Sequence, residues 1–190
     1  MNVAGRPATM RRVIDAAADE LAAAGVGSPR ADAELLAAHV AGTDRGRVTL
    51  TDPDAEFVER FDRLVARRAA RVPLQHLTGS AAFGPVTVEV GPGVFIPRPE
   101  TESLLEWAVA QPFSQRPLIV DLCTGSGALA LALAVQWPGA RVIAVDDSDD
   151  ALAYARRNVR GTAVELLRAD VTAAGLLTEI DGTVDLVVAN

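Results

Sequence analysis

The residues best suited to chemistry begin with the run Asp121-Leu122-Cys123-Thr124-Gly125-Ser126-Gly127, set between an apolar segment and an alanine–leucine stretch. Gly125 and Gly127 allow a sharp turn and a close backbone approach to a ligand. The helix expected after them presents unpaired N–H groups at its start. Asp146 ends the next apolar run, roughly twenty residues on, where doubly wound folds place an acid that accepts hydrogen bonds from ribose hydroxyls. This combination predicts a site for an adenosine-containing cofactor.

Gly125-x-Gly127-x-x-Ala130 also fits a relaxed dinucleotide fingerprint, so a nicotinamide dinucleotide is one option. Asp121 weighs against it, because a carboxylate at the mouth of the loop repels a pyrophosphate. It suits S-adenosylmethionine, which carries an ammonium and a sulfonium and no phosphate. Asp170 follows the third expected strand, and its position alone favours a loop or capping aspartate. Asn190 ends the run Val184-Asp185-Leu186-Val187-Val188-Ala189, at the carboxyl side of a strand where such sheets bind ligands. Cys123 is expected to be a small loop residue rather than a nucleophile. His39, placed on the apolar face of a helix, and His76, in a linker, make no metal set with a lone cysteine.

These groups need a scaffold, and the pattern along the chain predicts one. The first ten residues suggest a loose tail. Val13, Ala17, Leu21 and Ala24 then recur at helical spacing up to Gly25. Ser28-Pro29 opens a second helix carrying Leu35, Leu36, His39 and Val40, and Gly42 closes it. A third begins near Asp52-Pro53, with Phe57, Phe61, Leu64 and Val65 on one side. Arg60, Arg63, Arg67, Arg68 and Arg71 lie opposite, as a solvated face. Residues 1–78 are thus expected to form a small helical bundle. Val86, Val88 and Val90 alternate with polar residues between Gly-Pro turns, so 79–97 is expected to be a β-hairpin linker. From 98 to 190 the pattern is a helix followed by strand–helix alternation. The strands are 118–122, 141–145, 163–167 and 184–189, the helices 128–136 and 150–159. The fold class is α/β: a doubly wound parallel sheet with helices on both faces. The sheet is incomplete at the C-terminus, since an apolar final strand at Asn190 would be a bare edge; the natural protein is expected to continue.

Composition narrows the function. Of the 190 residues, 49% are hydrophobic, ample for a core. With 18 basic and 25 acidic residues, net charge −7, a nucleic-acid partner is disfavoured. One cysteine excludes an internal disulfide and fits a reducing compartment. Arg11, Arg12, Asp15, Asp19 and Glu20 interrupt any secretory signal, and no apolar run approaches the roughly 20 residues of a membrane span. A cytoplasmic protein is expected.

Pro73-Leu74-Gln75-His76-Leu77-Thr78-Gly79, Phe95-Ile96-Pro97-Arg98-Pro99-Glu100-Thr101-Glu102, the Asp121–Gly127 loop and Asp32-Ala33-Glu34-Leu35-Leu36 resemble the release-factor glutamine methyltransferases (the HemK/PrmC family). The resemblance implies an N-terminal substrate-recognition domain and a Rossmann-like class I methyltransferase sheet of seven strands. It implies S-adenosylmethionine as cofactor, touching Asp121, Cys123, Thr124, Gly125, Ser126, Gly127, Asp146, Asp170, Val171 and Asn190. Peptide chain release factors are the implied protein substrate in translation termination. Asn190 matches the first residue of the family's Asn-Pro-Pro-Tyr motif. By that analogy its side-chain oxygen and a following backbone carbonyl hold the glutamine NH2, while Phe95 and Pro97 wall the glutamine pocket. Asp146-Asp147 as a double acid, and Gly84-Pro85 near the hairpin, depart from the family pattern. Two rivals remain: a DNA adenine-N6 methyltransferase, which would need a basic channel and a flipped base, and a non-catalytic cofactor-binding module.

Overall fold

The computed structural model describes residues 9–190; most of the expected tail, residues 1–8, lies outside the described residues. The chain divides into two compact units, one up to Thr78 and one from Gly79.

The first unit is helical: α1 (Met10–Ala23), α2 (Pro29–Ala41), α3 (Ala55–Ala69) and the short α4 (Leu74–Thr78), with a 3-10 turn at Val48–Leu50. Its core joins Met10, Ile14, Leu21, Leu36, Phe57, Phe61, Val65 and Leu77. The buried stripe of α1 starts at Met10 and runs through Ile14 rather than Val13, so the helix begins inside the stretch expected to be tail. Pro29 starts α2, but Ser28 makes no side-chain cap. In α2, Ala33 and Ala37 face inward with Leu36. Leu35 and His39 are exposed, against expectation, because small alanines let this face approach its neighbours closely. Asp54 caps α3 through Phe57 N–H at 2.7 Å. Arg68, expected in solvent, instead reaches back to buried Asp32 at 2.6 Å.

The second unit starts with the antiparallel hairpin β1 (Ser80–Phe83) and β2 (Val86–Glu89). It continues with α5 (Pro99–Val109), β3 (Leu118–Leu122), α6 (Ala128–Gln136), β4 (Arg141–Asp146), α7 (Asp149–Asn158), β5 (Glu165–Arg168) and β6 (Leu186–Ala189). The last four strands form a parallel sheet in the order β5-β4-β3-β6. Residues 142–145 of β4 are all buried, the continuous apolar run of a strand covered on both sides. One face packs Ile119, Val142, Ala144, Leu186 and Val188 against helical residues such as Leu105, Leu133 and Ala151, and against Phe83 and Val88 of the hairpin. The other buries Val120, Ile143 and Val145 under Ile180, with Val171, Leu177 and Val184 around them. Among the described residues a 3-10 turn (Thr178–Ile180) and loop therefore cover that face, whereas helices were expected on both faces of the sheet. The segment contains Asp170, Thr172, Gly175, Gly182 and Thr183, which favour turns over helix. No helix among the described residues is long and apolar enough to cross a membrane.

Candidate functional site

Building the sheet outward from β3 first to β4 and β5, then back to β6, makes a switch point between β3 and β6. Open α/β sheets bind ligands in the crevice beyond the strand ends at such a point. A cavity of about 350 Å³ lies there. It collects Asp121 and the Cys123–Ser126 loop from the end of β3, Asp146 from β4 and Asn190 just after β6. Phe95, Pro97, Arg98 and Thr101, leading into and opening α5, complete a wall with Phe83.

The loop is shaped locally. Cys123 takes φ +59° and Gly125 φ +57°, with the turn closed by Gly127 N–H to Thr124 O at 2.9 Å. A Cβ on Gly125 would meet nothing within 4 Å, so this glycine presents bare backbone to the opening. Gly127 has the other glycine role. At φ +78° it caps α6, and a Cβ there would lie 3.3 Å from that of Ala155, so it permits close packing of α6 on α7. Asn158, which sequence patterns did not single out, ties three pieces together. Its amide donates to Ser126 O at 2.8 Å and Glu89 O at 3.0 Å, and accepts from Glu89 N–H at 2.7 Å.

The electrostatics separate the two acids. Asp121 is 2% exposed, and Thr124 donates its hydroxyl to it at 2.5 Å. Burial pushes its carboxyl up to about 7, against the bonds from Thr124 and Ala130 N–H, and nearby Asp146 adds to the rise. Asp146 accepts from Gly125 N–H at 2.8 Å through one oxygen and from Ser148 N–H at 3.0 Å through the other. A carboxylate oxygen has two lone pairs, so each retains acceptor capacity toward the cavity. Partial burial and then the Asp146, Asp147 and Asp121 charges raise the Cys123 thiol, which keeps it a weak nucleophile.

The donor set fits a cationic nucleoside better than a pyrophosphate. Two carboxylates line the cavity and the one guanidinium, Arg98, lies 5.1 Å over the Phe95 ring. The structure brings together Asp121, Cys123, Thr124, Gly125, Ser126, Asp146, Asn190, Phe95 and Pro97. It does not bring Asp170, Val171 or Gly127 to the cavity lining. Asp170 bonds the Thr172 hydroxyl at 2.6 Å and N–H at 2.8 Å, which lower its carboxyl; Val171 packs under the opposite sheet face. Arg98 and Thr101 were within the quoted motif but not singled out. Thr101 is buried and accepts the Asn190 side-chain N–H at 2.7 Å. No group of three or more His, Cys, Asp or Glu able to hold a metal occurs among the described residues.

A parallel sheet with a glycine turn after β3 and an acid ending β4 is a Rossmann-like α/β fold, and the family match over residues 119–190 makes it a class I methyltransferase fold. Residues 119–190 match the family described as methyltransferase domain, and residues 12–79 the one described as PrmC N-terminal domain. Release factor glutamine methyltransferase from Mycolicibacterium smegmatis is 67% identical over 95% of this chain and 65% of its own length. The Mycobacterium tuberculosis protein of that name is 62% identical over 96% of this chain and 62% of its own. That from Bifidobacterium longum is 39% identical over 94% of this chain and 67% of its own. The chain belongs to the release factor glutamine methyltransferase family, and it spans 62–65% of the length of the mycobacterial relatives.

Proposed function

We propose that the chain carries the central site of an enzyme that methylates the side-chain amide nitrogen of a glutamine in peptide chain release factors, using S-adenosylmethionine in the cytoplasm. The observation that carries this reading is the meeting of Asp121, Asp146 and Asn190 in one cavity at the switch point, within a family whose members bear that name. Asp121, a buried carboxylate in a cavity whose only lining cation is Arg98, would hold the cofactor's ammonium. Asp146 would accept from its ribose hydroxyls, and the bare backbone at Gly125 would admit it closely.

Bound S-adenosylmethionine supplies an electrophilic methyl carbon on a positive sulfur. Transfer would form one N–C bond and break one S–C bond, whose electron pair would stay on sulfur, and the nitrogen would give up a proton to solvent. A carboxamide nitrogen is a weak nucleophile because its lone pair is delocalised into the carbonyl. The protein's part is therefore positioning, worth as much as ~7–11 kcal/mol in favourable intramolecular reactions. Asn190 would accept a substrate N–H on its side-chain oxygen and aim the nitrogen. Phe95 and Pro97 would form an apolar wall that keeps water from the reacting pair. The helical unit, residues 1–78, would contribute recognition of the release factor.

Mass spectrometry of a release factor incubated with the full-length protein and S-adenosylmethionine tests the reading. A single added methyl group mapped to a glutamine side chain is expected. Methylation of DNA adenine alone, or none of the release factor, would overturn it.

A further inference from the structure

Three regions of the second unit meet on one side chain. Asn158 is the last residue of α7. Its Nδ2 donates to Ser126 O at 2.8 Å and to Glu89 O at 3.0 Å, and its Oδ1 accepts from Glu89 N–H at 2.7 Å. Every partner is a main-chain group of fixed polarity: a carbonyl can only accept and a peptide N–H can only donate. The amide therefore has one orientation here, because a flipped one would set its oxygen against two carbonyl oxygens.

One of these bonds reaches the glycine loop. Ser126 is 3% exposed and lines the cavity beside Gly125. The peptide joining Ser126 to Gly127 is held at both ends, its carbonyl by Asn158 and its N–H by Thr124 O at 2.9 Å. The second of those bonds closes the turn that presents Gly125. The other two Asn158 bonds fix the end of β2, whose partner strand β1 carries Phe83 to the same cavity. Asn158 itself is not among the residues lining the cavity.

Resting on the S-adenosylmethionine reading above, we infer that Asn158 is a positioning residue for cofactor binding: it holds the Ser126–Gly127 peptide and the hairpin in the spacing the cofactor requires, without touching the cofactor. Without the amide, a buried carbonyl loses its donor, which is costly. The loop relieves that cost by turning the peptide, and the turn that presents Gly125 loosens with it. The effect falls on how tightly the cofactor is held, with or without its methyl group, and not on the transfer step. The neighbouring Arg157 separates this role from a general fastening of α7 to the hairpin. Its guanidinium also joins α7 to β2, through the Glu89 carboxylate at 2.8 Å, but its other hydrogen bond goes to Ala153 O and not to the loop.

The test compares full-length wild type with Asn158→Asp, Asn158→Ala and Arg157→Ala, with S-adenosylmethionine and its demethylated product as calorimetric ligands. Aspartate keeps the acceptor for Glu89 N–H and removes both N–H bonds; alanine removes all three bonds and serves if the aspartate variant does not fold. The Asn158 variants are expected to bind both ligands about 10- to 100-fold more weakly, to the same degree for each. Their kcat at saturating cofactor should stay within about threefold of wild type, and so should the affinities of Arg157→Ala. With no ligand added, hydrogen exchange at Gly127 N–H should be faster in the Asn158 variants than in wild type or Arg157→Ala. Wild-type affinity in a folded Asn158 variant, an equal loss in Arg157→Ala, a kcat lowered as much as the affinity, or Gly127 exchange indifferent to Asn158 would each overturn the inference. Failure of both Asn158 variants to fold would also overturn it, by making the residue's role structural. The S-adenosylmethionine reading fails separately, through a wild-type protein that binds neither ligand.

Discussion

A single buried carboxylate sets a pH dependence that can be measured without any substrate. Asp121 is held near 7 in the folded protein, by burial first, against an ordinary value of 3.8. Between those values the folded protein keeps a proton that the unfolded chain has released. Its contribution to stability is therefore complete below pH 3.8 and is lost as pH rises through about 7, a change on the order of 4 kcal/mol. Denaturant melts of wild type and Asp121→Asn from pH 5 to 8 should converge at the alkaline end less closely than at the acid end, with the asparagine variant gaining relative stability as pH rises. Parallel pH profiles for the two proteins would show that the carboxyl does not titrate in this window. The same group gives the proposed cofactor a signature. A cation beside Asp121 favours its ionised form, so binding at pH 6 should release a proton. Calorimetry in buffers of different ionisation heat reads that proton directly.

At the scale of elements, the Asp32–Arg68 bridge joins α2 to α3. Asp32 is buried, Arg68 bonds it at 2.6 Å, and the same guanidinium reaches Val72 O at 3.2 Å. Arg68→Met should destabilise the helical unit by about 3 kcal/mol, because it strands a buried charge. Asp32→Leu combined with Arg68→Met should be more stable than Arg68→Met alone, since no lone charge remains. Equilibrium denaturation of the three proteins decides this, and an additive double variant would refute the coupling. This bridge also shows where sequence reading stops. Periodicity placed Arg68 on a polar stripe, yet no local pattern announces a partner on another helix. The same limit explains Leu35 and His39, turned outward because alanines on the adjoining face pack more closely. It explains Thr101 as well, whose bond to Asn190 exists only once α5 and β6 are brought together by the fold. By contrast the strand at 118–122, the helix at 128–136 and the glycine loop between them were legible, because turn chemistry and strand periodicity there depend on neighbours in the chain. Asp170 and Val171 were drawn in by family analogy, while the residues themselves form a turn closed by Thr172 and a contact on the far face of the sheet.

For the whole molecule, two cores with separate residues suggest separable duties. The residues lining the cavity all come from the unit that starts at Gly79. Deleting residues 1–78 from the full-length protein should therefore impair methylation of an intact release factor more than that of a short glutamine peptide. Equal losses on both substrates, measured by mass spectrometry, would argue that the helices serve the catalytic unit instead. The molecule also comes with its own gauge of whether the cavity is filled. Cys123 is the only thiol in the chain and sits exposed on the cavity wall. A maleimide or disulfide dye can mark just this one place, with no other cysteine to engineer away. Because its surroundings keep the sulfur protonated, labelling should be sluggish at neutral pH and quicken in alkali. A molecule lodged against the loop should shield it, so that the colour of an unmodified sample over time becomes a readout of occupancy for ligands whose binding is otherwise silent.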